Sequence, residues 1–360
     1  MKKFFLILSV VPLLAFVWYS LSIHPGTVEL PTATPEMLGT IELLPDPTPE
    51  PTLEPTPEPI PWPLQPARLT DDTLDASFFA PCEQQGTLVT LDYETKDYHY
   101  GTTDAAFSKQ LNVYLPYAYN EDRPYNVLLL LHITGVDETF WLPGELGYAG
   151  QSIRMMDLLD HMIAQGLCEP LIVVAPCGYI TDEAAAAHDS VRDYDQFGYE
   201  FANEILPLIV ENFSTYAEGT ERWQLAAARE HFGVAGASFG SYMTRNSVLA
   251  PNLDLCANFA MIGGGSLRQD ELRGEWQNAG LSPEAYPIHR LLIVEGELDD
   301  RAEPERSYHA LQEWTELFNA DNLRYLLIKT AAHDVREWVN GVYNSAQLFF
   351  RDDIPVEAVA

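Results

Sequence analysis

A mostly parallel α/β sheet, covered by helices on both faces, is the fold class this sequence predicts, on three observations. Short apolar runs alternate with amphipathic, helix-spaced runs between about residues 86 and 350. Several of the short runs are continuously apolar, as strands buried on both faces must be. A glycine-flanked serine, Gly236-Ala237-Ser238-Phe239-Gly240, joins one such run to a helix-compatible one.

Taken in order, Gly86–Tyr93 and Gln110–Leu115 alternate as strands, and Pro116 stops the second. Asn126–His132 is a central-strand run. Ile153–Ile163 has helical spacing and ends at Gly166. Leu171–Ala175 is the next buried strand. An Asp- and Ala-rich loop, about 178–195, leads to a helix through Tyr199, Phe201, Ile205, Leu206 and Ile209. His231–Ala235 is the strand before the serine, and Ser241–Leu249 the helix after it. Strands at Ala257–Ile262, Leu291–Glu295 and Leu323–Ile328 follow, with helices at about 303–319 and 335–350. The folded part is expected to begin near Cys82, inside a domain spanning 68–360. Ligands of such a sheet bind at the carboxyl ends of its strands.

The preceding residues read differently. Lys2 and Lys3 come before an apolar run from Phe4 to Leu21, and two readings stand. Ser20-Leu21-Ser22 resembles a signal-peptide cleavage site. The run is also just long enough for a membrane anchor, with Trp18 and Tyr19 at the outer belt. Residues 1–23 are therefore a signal peptide or an N-terminal membrane anchor, and either places the remainder outside the cytoplasmic membrane, at the cell surface or beyond. Residues 24–67 form a Pro/Thr/Glu-rich linker holding much of the chain's complement of 26 prolines, with no Lys or Arg between Lys3 and Arg68. It is expected to be disordered, extended and semi-rigid, because proline fixes φ and the like charges repel. A spacer is the expected role, with a proline-motif ligand as the alternative.

The 360 residues are 47% hydrophobic, enough for a substantial core. A net charge of −33 argues against nucleic acid and anionic lipid surfaces, which both select Lys and Arg. Cys82, Cys168, Cys177 and Cys256 permit two disulfides in an exported chain, or are isolated thiols; their wide spacing does not resemble a metal site.

Strand, Gly-x-Ser-x-Gly, helix is the context of the nucleophile elbow of the α/β-hydrolase fold. Its bland counterpart is a glycine-rich turn with a capping serine. A serine hydroxyl needs a base, and in this fold the partners follow in the order Ser, acid, His. Beyond Leu291–Glu295 only His309 and His333 remain. His309 lies inside an amphipathic helix. His333 follows strand Leu323–Ile328 and precedes the last helix, where a general base belongs. The acid falls in Gly296-Glu297-Leu298-Asp299-Asp300, with Asp299 preferred and Asp300 its competitor. Ser238, His333 and Asp299 are thus the candidate triad.

These pieces resemble the esterase family that includes bacterial feruloyl esterases, S-formylglutathione hydrolases and antigen 85 mycolyltransferases, the feruloyl-esterase branch most of all. The matching residues are Val113-Tyr114-Leu115-Pro116, Val127–His132, Glu169–Pro176, Gly236–Gly240, Gly296–Asp299 and His333-Asp334-Val335-Arg336-Glu337-Trp338. The resemblance implies Ser238 as nucleophile, His333 as base and Asp299 as acid. It implies backbone N–H groups of Phe239 and Thr134 as the oxyanion hole, and no metal or organic cofactor. The family's His-Gly-x-Gly-Gly reads His132-Ile133-Thr134-Gly135-Val136 here, so a loop displaced by Ile133 would lose one oxyanion donor. His132 reads as a loop brace rather than a second base. Trp141 is placed as a substrate-binding residue, with a core position as its alternative. Tyr179, Asp193 and Tyr194 stand in the loop that could border an acyl pocket.

The resemblance implies an exported serine carboxylesterase acting on feruloyl- or acetyl-type esters of plant-wall polysaccharide. The alternatives are an acyltransferase of the mycolyltransferase type, and a non-catalytic glycan-binding module with a degenerate oxyanion loop.

Overall fold

The computed structural model describes residues 64–96, 98, 106–144, 150–179, 197–301 and 303–351. The N-terminal apolar run and nearly all of the proline-rich linker lie outside them, as do Asp193 and Tyr194. Among the described residues, no helix is long and apolar enough to cross a membrane.

Strands β1 (Thr87–Lys96) and β2 (Ala106–Leu115) pair antiparallel, and β2 pairs antiparallel with β4 (Leu171–Pro176). From β4 onward every pairing is parallel, through β3 (Asn126–Leu131), β5 (Phe232–Ala237), β6 (Asn258–Ile262), β7 (Arg290–Gly296) and β8 (Leu323–Ile328). The sheet order is β1-β2-β4-β3-β5-β6-β7-β8. Every residue of β3, β4 and β5 is buried, as continuous apolar runs require. Alternate side chains of β3 serve opposite faces. Val127, Leu129 and Leu131 join Phe201, Ile205 and Ile209 in one core layer, while Leu128 and Leu130 join Met155, Leu158 and Trp338 in the other.

Seven helices are used below: α1 (Met155–Ala164), α2 (Leu206–Asn212), α3 (Arg222–Ala227), α4 (Phe239–Met243), α5 (Gln269–Ala279), α6 (Glu303–Gln312) and α7 (Val335–Leu348). Helix α5 is absent from the sequence reading because its only buried residues are Leu272 and Trp276, too narrow a stripe for a periodic signal. The helix expected over 303–319 ends at Gln312, yet Trp314 and Phe318 remain buried beyond it. Helix α7 is nearly buried all round; Asp334 caps it by accepting the Arg336 N–H.

The chain packs against the domain well before Cys82. Side-chain amides of α7 read the backbone of residues 65–70 as a neighbouring strand would. Asn344 accepts the Thr70 N–H at 2.8 Å and donates to the Thr70 carbonyl at 3.0 Å. Gln347 pairs with both backbone groups of Arg68, at 3.1 and 3.2 Å, and Arg351 donates to the Gln65 carbonyl. Asn344 and Gln347 are fully buried, so these bonds satisfy amides that water cannot reach. Removing residues up to Asp72 should lower the unfolding free energy by about 3 kcal/mol relative to a chain beginning at Ile60, because the α7 amides lose their partners. Urea unfolding of the two fragments measures it, and equal midpoints would show that the strap contributes nothing.

Candidate active site

Strand β5 ends at a turn with no space to spare. A β-carbon on Gly236 would overlap the Gly240 carbonyl, and one on Gly240 would overlap the Leu131 carbonyl. Helix α4 therefore lies directly against the end of β3. Ser238 takes φ 52° and ψ −113°, a strained backbone that directs its side chain clear of the sheet. Its N–H is anchored on the Ile262 carbonyl of β6 at 2.8 Å.

Three strand ends then converge. His333, from the loop after β8, places Nε2 2.9 Å from Ser238 Oγ and Nδ1 2.8 Å from Asp299 Oδ2. Asp299 follows β7, and its side chain is 1% exposed against 21% for His333. The Asp299 N–H donates to the Gly296 carbonyl, and Asp299 Oδ1 accepts the Arg301 N–H. Asp300, the competing acid, is exposed, and His309 sits in α6 facing Gln312 and Glu305. Trp338 packs edge-on against the His333 ring, at 5.3 Å between centroids.

The loop after β3 tolerates its departures from the family pattern. Ile133 and Val136 keep φ on the negative side, while Gly135 carries φ +79°. Ile133 is buried, and Thr134 and Gly135 remain exposed. Two side chains hold the loop. The Gly135 N–H donates to the Tyr179 hydroxyl at 2.7 Å. His132 pairs through Nδ1 with the Ile133 carbonyl and accepts the Gly178 N–H at Nε2, at 2.7 and 2.8 Å. This arrangement requires the neutral ring, with its proton on Nδ1. His132 therefore ties the end of β3 to the end of β4, while Tyr179 stacks on Phe239, 5.0 Å between centroids.

Trp141 is corrected. It is fully buried, packed edge-on against Phe140, which contacts Trp338 in turn. It braces the wall behind His333 and presents no surface to a substrate. The four cysteines are free thiols, with Cys168 and Cys256 buried. Burial pushes the Cys177 thiol up to about 11 and Cys168 up to about 12.

Sequence reasoning did not single out Glu337. Its Oε2 lies 3.3 Å from His333 Nδ1, and its side chain is fully buried. The signal was its spacing of four residues from His333 on a helix whose first turn begins at Val335. Asp299, His333 and Glu337 form the one group among the described residues that could offer three ligand atoms to a metal ion. Nδ1 and Asp299 Oδ2 already bond each other, and neither carboxylate side chain is more than 1% exposed.

A family model described as "Putative esterase" matches residues 108–341. The chain belongs to this esterase family. The match runs from β2 into α7 and includes Ser238, Asp299 and His333. Among curated relatives, the chain is 28% identical to endo-1,4-beta-xylanase Y of Acetivibrio thermocellus over 77% of its own length and 24% of the relative's. It is 25% identical to an endo-1,4-beta-xylanase/feruloyl esterase of Xylanibacter ruminicola, over 67% and 29%. This member of the esterase family thus spans about a quarter of the length of the curated relatives it matches. Among solved structures, one named FAE superposes with a TM-score of 0.63 at 25% identity, covering 81% of this chain and 96% of the other. The feruloyl esterase module from Clostridium thermocellum, as a serine-to-alanine mutant complexed with sinapinate, superposes at 0.62 with 24% identity, covering 81% and 98%. These likenesses give the α/β-hydrolase-type esterase fold and a feruloyl-esterase relationship.

Burial lowers the His132 pKa from 6.5 to about 4. Between those values the unfolded chain binds a proton that the folded chain refuses, so folding stability falls as pH drops through the window, by up to about 3 kcal/mol. Replacing His132 with Asn should shrink the stability difference between pH 7 and pH 4.5 by a large part of that amount. Urea unfolding at the two pH values checks it; an unchanged difference would mean that His132 is not held neutral.

Proposed function

We propose that the chain is a serine carboxylesterase working through an acyl-enzyme, with Ser238 as nucleophile, His333 as general base and acid, and Asp299 as the acid that orients it. One observation carries the reading: a hydroxyl, an imidazole and a buried carboxylate in a single hydrogen-bonded line, at 2.9 and 2.8 Å. His333 Nε2 takes the Ser238 proton as Oγ attacks the ester carbonyl. The carbonyl π pair moves onto oxygen, where the N–H groups of Phe239 and Thr134 receive it. The oxyanion collapses, the ester C–O bond breaks, and His333 returns the proton to the departing alcohol. Water, deprotonated by the same nitrogen, then attacks the acyl–Ser238 carbonyl. The acid leaves and Ser238 regains its proton. Asp299 keeps Nδ1 protonated throughout and stabilises the imidazolium as it forms.

The substrates in this reading are feruloyl- or acetyl-type esters of plant-wall polysaccharide, supported by the feruloyl esterase and xylanase names among the relatives. Residues 1–23 direct export or anchor the chain, 24–67 act as a spacer, and 68–360 are the esterase domain, located extracellularly or at the cell surface. Such a position suits a polymer too large to import.

Methyl ferulate and 4-nitrophenyl acetate should both be turned over, with methyl ferulate preferred. S238A and H333A should each lower kcat by about 10⁴–10⁶. Unaltered turnover in S238A would sink the reading, and a preference for the acetyl ester would move the substrate away from feruloyl groups.

A further inference from the structure

Glu337 occupies a costly position for a carboxylate. Its Oε1 accepts the Gly296 N–H at 2.8 Å, and its Oε2 has no hydrogen-bond partner apart from the approach to His333 Nδ1 at 3.3 Å. The backbone leaves room for it. Gly263, at φ +61°, faces the carboxylate so closely that a β-carbon there would lie 2.5–2.9 Å from its atoms. An apolar side chain would fill the same space without the desolvation cost of a charge. The imidazole nitrogen that already donates to Asp299 lies 3.3 Å from the orphaned oxygen.

We propose that Glu337 is a positioning residue for His333: a second acid that accepts from Nδ1 alongside Asp299 and takes over that hydrogen bond when Asp299 is removed. The proposal rests on the reading of Ser238, His333 and Asp299 as the catalytic array. At 2.8 against 3.3 Å, Asp299 is the principal acceptor and Glu337 the weaker one. The value of the second acceptor changes during turnover. With the ring neutral, two adjacent buried carboxylates repel, and burial together with the Asp299 charge raises the Glu337 pKa. Once His333 has taken the serine proton, the same carboxylate faces a cation. Glu337 therefore favours the charged ring over the neutral one.

The charged groups that bear on this site come from three elements. Asp299 and Arg301 stand on the loop after β7, with Arg301 Nε 3.8 Å from Asp299 Oδ1. Buried Glu295 at the end of β7 accepts the Tyr325 hydroxyl of β8 at 2.7 Å. Glu337 itself lies on α7, next to the capping Asp334. Among them, Glu337 alone combines full burial with an approach to Nδ1 from outside the Asp299 bond.

The test compares full-length wild type, S238A, E337Q, D299A and D299A/E337Q. Gln keeps one acceptor oxygen for the Gly296 N–H and puts an NH2 donor in place of the other, so it removes both the charge and the acceptor that faces Nδ1. Loss of turnover in S238A first secures the underlying catalytic reading; turnover that persists there overturns that reading and the proposal with it. With the reading secured, E337Q should move the acid limb of kcat/KM for 4-nitrophenyl acetate to lower pH by about half a unit to one unit, since the imidazolium loses a stabilising charge. D299A should retain about tenfold more activity than D299A/E337Q. An acid limb that stays in place in E337Q, with the double variant no worse than D299A, overturns the proposal. A readout that does not depend on changing Glu337 is the His333 Nδ1–H resonance in D299A. Its persistence supports a second acceptor, and its loss to solvent exchange overturns one.

Discussion

The absence of two β-carbons sets the geometry of the whole carboxyl edge of the sheet. Gly236 admits the Gly240 carbonyl, and Gly240 admits the carbonyl of Leu131. The turn after β5 and the loop after β3 are thereby pressed against each other. The proposed nucleophile belongs to the first and the Thr134 amide to the second, so their separation is set by backbone contact. A larger residue at either glycine would push α4 off β3, separating Phe239 from Thr134 before it touched Ser238 itself. The strain at Ser238 persists because parallel pairing on both sides holds β5 fixed, with Leu131 opposite Gly236 and Ile262 opposite Ala237.

Around that edge, two buried polar side chains each accept a backbone N–H from a neighbouring strand end. His132 accepts the Gly178 N–H after β4. Glu337 accepts the Gly296 N–H at the end of β7. In both cases a helix or strand terminus is fixed by a side chain from another element, and water is kept from the bond. The arrangement is rigid where the proposed chemistry needs a constant distance. The open part is the exposed tip at Thr134 and Gly135.

Much of this was legible in the sequence because it follows from local rules. The elbow declares itself by glycine spacing between a strand and a helix. Chain order reduces the proposed base to His333, since His309 falls within a helical stripe. The proposed acid was narrowed to two adjacent aspartates with Asp299 preferred, and the structure buries the Asp299 side chain and exposes Asp300. What was not legible depends on contacts between distant segments. Nothing local says that the amides of Asn344 and Gln347 read the backbone 274 and 279 residues earlier. Trp141 sits in a loop, where an aromatic side chain reads equally as cleft or core, and the packing of Phe140 and Trp338 decided for the core. Glu337 lay within the matched ending His333–Trp338, yet a glutamate on the first turn of a helix reads as a solvated, dipole-favoured charge. Its burial comes from Gly263, on a different strand end.

The loop after β3, proposed to supply an oxyanion donor, shows which part of a glycine-rich pattern is chemical and which is steric. The expectation of a loop displaced by Ile133 came from the left-handed backbone that a glycine at that position of the pattern can hold and isoleucine cannot. Within residues 132–136 only Gly135 has φ in that region; Ile133 turns inward and adds its side chain to the core layer with Phe140 and Leu158. An isoleucine is compatible with the loop for the same reason that it is buried: its side chain faces the core, and its carbonyl is held by His132 Nδ1. The requirement on this segment is thus one left-handed residue and two braces, the His132 ring and the Tyr179 hydroxyl.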